Sequence, residues 1–271
     1  MGGSEVTLSA VTEFDALHST LRRRVEGGDG HGVVADLAAV LAMARAGFDE
    51  DPGLWVMRLR MAQRDVERVP ANARLKADSE DATRAIIAYA RAGAADDPAR
   101  RELLGTTLNN YSMQLEAEQR LDESIVFASE CLDLLRTEPA SSELAHARTR
   151  LAELRLRVGD HTGALALAEE LVDAAHRKGE NPAEGLSGLP SWLRLRARAH
   201  AALGREVEAR ADFESSLDWE RARVRAGKFL AHLDLADALD EYAELLSGLG
   251  AADDARAMAV SAAGTREKRQ D

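Results

Sequence analysis

Apolar residues recur every three to four positions along nearly the whole chain, and short stops containing Gly, Pro or Asp interrupt the rhythm. This pattern predicts helices near residues 9–26, 32–47, 53–69, 73–93, 99–119 and 122–137. It predicts six more near 141–158, 161–178, 190–203, 206–225, 229–249 and 252–266. Alternating Val, Ile, Thr and Tyr runs, the mark of half-buried strands, do not occur, so an all-α chain of about twelve helices in six hairpins is expected.

The separators have a physical logic. The run Gly27-Gly28-Asp29-Gly30-His31-Gly32 ends one helix and frees the chain to turn. Asp51-Pro52 and Asp97-Pro98 each place a capping carboxylate before a proline at the first helical position. Glu138-Pro139 and Ser141-Ser142 do similar work, and Gly179 to Pro190 reads as the one longer loop.

Four segments share a further pattern: an amphipathic helix, a tight stop, then a second helix with a small residue on its first turn. The small residue of the first helix is Ser112, Ala152, Ala197 or Ala243. The stops are Gln119 to Ser124, and then Gly159 to Ala164, Gly204 to Ala209 and Gly250 to Ala255, each of these three a Gly-x-x-x-x-Ala. Cys131, Leu171, Ser216 and Ala262 follow seven residues later. Small side chains at these slots, Leu171 excepted, let paired helices approach closely, and the glycine ends a helix where other residues are strained.

On these residues the chain resembles the tetratricopeptide repeat (TPR) family. Ser124, Ala164, Ala209 and Ala255 are spaced 40 to 46 apart, against a usual period of about 34. With the opening Leu108-Asn109-Asn110-Tyr111, this is most similar to the long-repeat variety of kinesin light chains and bacterial regulatory proteins. The resemblance implies a right-handed superhelical α-solenoid of antiparallel hairpins. It covers 103–266, whereas 9–102 keep the hairpin rhythm with turns at Gly27–Gly32 and Pro70–Ala73 that fit poorly, and are expected to be degenerate repeats or a capping bundle. Residues 1–8 and 267–271 are expected to be disordered termini. Helical repeats of the HEAT sort are the rival architecture.

Composition narrows the function classes. Ala and Leu dominate the 271 residues, aromatics make up 4%, and the net charge of −12 disfavours nucleic acid, whose binding needs Lys and Arg against phosphate. The excess of Arg over Lys suggests a high-GC bacterial source. A single cysteine, no basic-apolar start and no long apolar run point to a cytoplasmic protein with no membrane partner.

No residue cluster names a catalytic chemistry. His18, His31, His146, His161, His176, His200 and His232 lack metal-ligand spacing. Cys131 occupies a slot that repeats keep small and reads as a packed thiol. The Gly27–Gly32 run has helices on both sides, so it lacks the strand that a phosphate cradle needs. Asp49-Glu50-Asp51 and Asp96-Asp97 read as helix caps, and no cofactor is expected. Trp55, Trp192 and Trp219 are expected in the core, Trp192 being partly exposed, and Met57 and Met61 beside Trp55 are expected to line a core as well.

The family resemblance implies that the first helix of each repeat lines a concave groove for a peptide. By repeat position these residues are Asn109, Asn110 and Met113, then His146, Arg150, Glu153 and Arg157. Arg194 and Arg198 follow, and then Asp237, Asp240, Glu241 and Glu244. Asn110 matches a position where peptide-binding members use Asn to hold a ligand backbone. Arg150, Arg194 and Arg198 offer planar bonds to a carboxylate, although Leu195 stands where the family's carboxylate clamps carry a basic residue. The alternative is that these arginines are solvated or ion-paired helix surface. A non-catalytic protein-interaction module is therefore expected, with a protein or peptide partner. Two alternatives are kept: a small-molecule sensor or enzyme closed by the 179–190 loop with His176, His200 or the arginines as working groups, and a self-associating scaffold, with a homodimer as its simplest form.

Overall fold

The computed structural model describes residues 3–26, 32–68, 73–137, 142–179 and 188–267, with side chains from residue 9 onward. Twelve helices and no strands occur among the described residues. They are α1 (Gly3–Glu26), α2 (Val33–Glu50), α3 (Pro52–Glu67), α4 (Ala73–Gly93), α5 (Pro98–Ala117) and α6 (Leu121–Leu135). Then come α7 (Ser142–Val158), α8 (His161–Lys178), α9 (Leu189–Ala202), α10 (Glu206–Arg225), α11 (Ala231–Gly248) and α12 (Ala252–Glu267). The first helix starts at Gly3 rather than near residue 9. The connecting segments 27–31, 69–72, 138–141 and 180–187 lie outside the described residues.

Contacts divide the chain into Met1–Tyr111 and Ser112–Asp271. In the first unit Phe14, Leu37, Leu41, Trp55, Leu59 and Ile86 form one apolar core. Gly47 is required there, because a Cβ on it would lie 2.2 Å from the Trp55 ring. Phe14 stacks on His18 and meets Trp55 edge-on. Within this core His18 Nε2 and Asp65 Oδ2 share a buried 2.6 Å hydrogen bond. Both proline-led helices are capped as their sequences predict: Asp51 accepts from the Leu54 amide at 3.1 Å and Asp97 from the Ala99 amide at 2.9 Å.

Met57 and Met61 do not line this core; they are 57% and 39% exposed. The buried face of α3 carries Trp55, Val56, Leu59, Ala62 and Val66. At about 100° per residue Met57 points roughly opposite Trp55.

In the second unit the hairpins α7–α8, α9–α10 and α11–α12 pack internally, and each second helix packs on the next first helix. Ser112, Ala152, Ala197, Ser124, Ala164 and Ala209 are all fully buried. Ser112 and Ser124 also exchange hydroxyl-to-carbonyl hydrogen bonds of 3.0 and 2.7 Å, which joins the α5–α6 pair. Cys131 is buried, and burial pushes its thiol pKa up, as suits a packing residue.

The repeat turn has one geometry. Gly159, Gly204 and Gly250 have φ of +85°, +73° and +81°, and the next amide in each case donates to a carbonyl five residues back. These are Asp160 to Arg155, Arg205 to His200 and Ala251 to Leu246, at 2.9 Å each. That bond closes a Schellman end and satisfies carbonyls the helix leaves open.

Candidate functional site

The first helices of the second unit carry most of the residues that the repeat positions select. Arg150 and Arg157 both reach Glu116 on α5: Arg150 Nη2 donates to Glu116 Oε2 at 3.3 Å, and Arg157 bonds Oε1 of the same carboxylate. Arg157 also donates to Gln119 Oε1 at 3.4 Å. One carboxylate thus ties two turns of α7 to the end of α5.

Arg194 is committed as well. Its Nε donates to Glu241 Oε2 at 3.0 Å and its Nη1 to Ser216 Oγ at 3.3 Å, with Glu220 at 3.9 Å. Ser216 in turn donates to the Pro190 carbonyl at 3.0 Å. Arg194 therefore bridges α9, α10 and α11 and is only 14% exposed. Near it the buried Arg223 Nη1 donates to the buried Glu220 at 2.7 Å and to the half-exposed Asp234 at 2.9 Å. Burial raises the Glu220 carboxyl above its ordinary value, and Arg223 opposes the rise.

Arg198 differs from its neighbours. It is exposed, and among the described residues its guanidinium has no hydrogen bond or ion pair. With Glu241 and Glu244 it lines a cleft of about 510 Å³ between α9 and α11, whose floor includes Ala201, Leu245 and Leu249. Glu153 on α7 keeps contact with solvent yet is crowded by charged neighbours. Partial loss of hydration raises its carboxyl pKa; Glu116 and Glu241 add to the rise, and Arg198 and Arg150 oppose it.

The remaining selected residues are placed as follows. His146 and Glu244 are exposed, as is Met113 at 53%. Asp237 and Asp240 both take Arg266 of α12, at 2.8 and 2.6 Å. Asn109, half-buried, and Asn110, exposed, belong to the first unit. Trp192 is partly exposed, and its indole donates to Thr149 at 3.0 Å.

Glu116 is the residue that the sequence pattern left unnamed although it organises the face. It lies seven positions after Asn109, the same step that separates Arg150 from Arg157. Glu220 and Ser216 sit on a second helix, outside the stripe that the repeat positions select.

Among the groups weighed for catalysis, His200 is buried beside Asp212 at 3.9 Å, and Arg196 holds that carboxylate through two bonds of 2.8 and 2.7 Å. His176 is exposed near the end of α8. Most of the loop invoked to close a pocket over them, 180–187, lies outside the described residues. No group of three or more His, Cys, Asp or Glu side chains among the described residues is arranged to hold a metal. No described helix is long and apolar enough to cross a membrane.

Stacked hairpins with left-handed glycine turns and small residues at the helix contacts define a helical-repeat protein of the TPR-like class. A Podosopora anserina kinesin light chain with nearly identical TPR-like repeats has the same fold, at 16% identity and a TM-score of 0.56, over 79% of this chain and 97% of that one. BtubC (BKLC) from P. vanneervenii aligns at 14% identity and a TM-score of 0.47, over 88% and 91% of the two chains. MamA aligns at 15% identity and a TM-score of 0.44, over 74% and 99%. No family model matches the chain, and no curated protein does.

Proposed function

We propose that the second unit is a non-catalytic interaction module whose α7–α9–α11 face binds a segment of another protein. The observation that carries this reading is Arg198. Among the described residues its guanidinium makes no hydrogen bond or ion pair, and it stands at the edge of an open cleft, on a face where Arg150, Arg157 and Arg194 are all bonded within the chain. Those internal pairs hold the wall in place before any partner arrives, which lowers the ordering cost of binding. The charges left over, Arg198 against Glu153 and Glu244, suit a segment with an acidic group toward Arg198 and a basic group toward the glutamates. Leu245 and Leu249 supply apolar contact beneath them.

The experiment is selection of peptides from a random display library on the intact protein. Enrichment of peptides that pair an acidic with a basic residue, lost on Arg198→Glu, supports the reading. Failure to enrich any peptide, or enrichment indifferent to Arg198→Glu and Glu244→Lys, overturns it. Arg194 is unsuitable as a probe, since reversing its charge would leave Glu241 without its partner and set a second negative charge near the buried Glu220.

A further inference from the structure

The first unit has its own cleft, of about 410 Å³, between α3 and the start of α5. Val56, Met57 and Leu103 make it apolar, Thr106 adds a hydroxyl, and Arg60 and Arg100 bring positive charge. The two arginines are not equivalent. Arg100 is satisfied within the chain, because it donates to the Tyr89 hydroxyl at 3.0 Å, lies 4.1 Å over that ring and has Asp97 at 3.7 Å.

Arg60 is half-buried and has no hydrogen bond or ion pair among the described residues. Arg64, one turn further along α3, adds like charge, and Glu102 faces Arg60 from α5 without bonding to it. Loss of hydration lowers the Arg60 pKa, Arg64 lowers it further and Glu102 works against both. A half-buried guanidinium beside apolar side chains, with no donor used among the described residues, is matched by an anion brought in from outside.

We propose that this cleft binds a small monocarboxylate with an aliphatic body: the carboxylate bonds Arg60 and the chain lies on Met57, Val56 and Leu103. The carboxylate is preferred to a phosphate ester because Asp97 and Glu102 also line the cleft, and they would repel a second negative charge. Met57 then has a use for its 57% exposure, which the core of the unit does not explain.

Octanoate is the probe, titrated calorimetrically into the whole protein, with octan-1-ol and octyl phosphate as comparisons. Octanoate is expected to bind, with affinity at least about tenfold above octan-1-ol and falling about tenfold in Arg60→Gln, as loss of a charge-assisted bond requires. Met57→Glu, on an exposed position, tests the same point without touching the core, since a carboxylate one turn from Arg60 would compete with the ligand. The proposal is overturned if octanoate gives no saturable heat, if octan-1-ol or octyl phosphate binds as tightly, or if both variants bind octanoate as the parent does. Peptide selection on the second unit reads a separate face, so the two outcomes are independent.

Discussion

Gln119 adopts the left-handed backbone that Gly159 adopts one repeat later, with φ of +63° against +85°. In both turns the following amide donates five residues back, Arg120 to Leu115 at 2.8 Å and Asp160 to Arg155 at 2.9 Å. The first repeat therefore makes the same helix end without the residue suited to it.

That conformation costs a non-glycine residue about 1–2 kcal/mol, part of which glycine returns as greater freedom of the unfolded chain. Gln119→Gly is expected to stabilise the second unit by about 0.5–1 kcal/mol. Gly159→Ala is expected to destabilise it by about 1 kcal/mol through backbone strain alone, because a Cβ there meets nothing within 4 Å. Urea unfolding of the two variants measures both signs.

Ala197 and Ala152 are fully buried where helices touch, whereas Ala243, at the matching slot of the last repeat, is partly exposed. Ala197→Leu should destabilise by about 1–3 kcal/mol through overpacking, and Ala243→Leu by clearly less. Equal losses in thermal unfolding would show that the slots are not packed as described.

Arg223 and Glu220 are 5% and 3% exposed and bond each other at 2.7 Å. Arg223→Met leaves Glu220 buried with its main partner gone, and should cost about 3–5 kcal/mol. Adding Glu220→Leu removes the stranded charge and should recover most of that loss. A double-mutant cycle by chemical denaturation checks the coupling.

Glu153 titrates above its ordinary value of 4.5, first because it is partly dehydrated. A carboxylate raised on folding adds stability below its unfolded pKa, and this is lost as the pH rises through the folded value. Glu153→Gln should therefore gain on the parent protein between pH 4 and pH 7 (roughly the window in which a raised carboxyl titrates). Unfolding free energies at the two pH values test this, and a difference that stays constant or shrinks contradicts the assignment.

The helices and their ends were legible in the sequence because the forces that set them are local. Asp51 and Asp97 cap the residues immediately after them, and Gly159, Gly204 and Gly250 accept a positive φ that most residues resist. The buried slots at Ala152, Ala197 and Ala209 followed from helical period and repeat spacing. What only the tertiary structure decided is which charges are spent. Arg150 finds Glu116 across 34 residues and Arg194 finds Glu241 across 47, so partner choice depends on which helix faces are stacked together. The same stacking turns Met57 outward and leaves Arg60 and Arg198 without a hydrogen bond or ion pair among the described residues, unlike the bonded Arg150, Arg157 and Arg194.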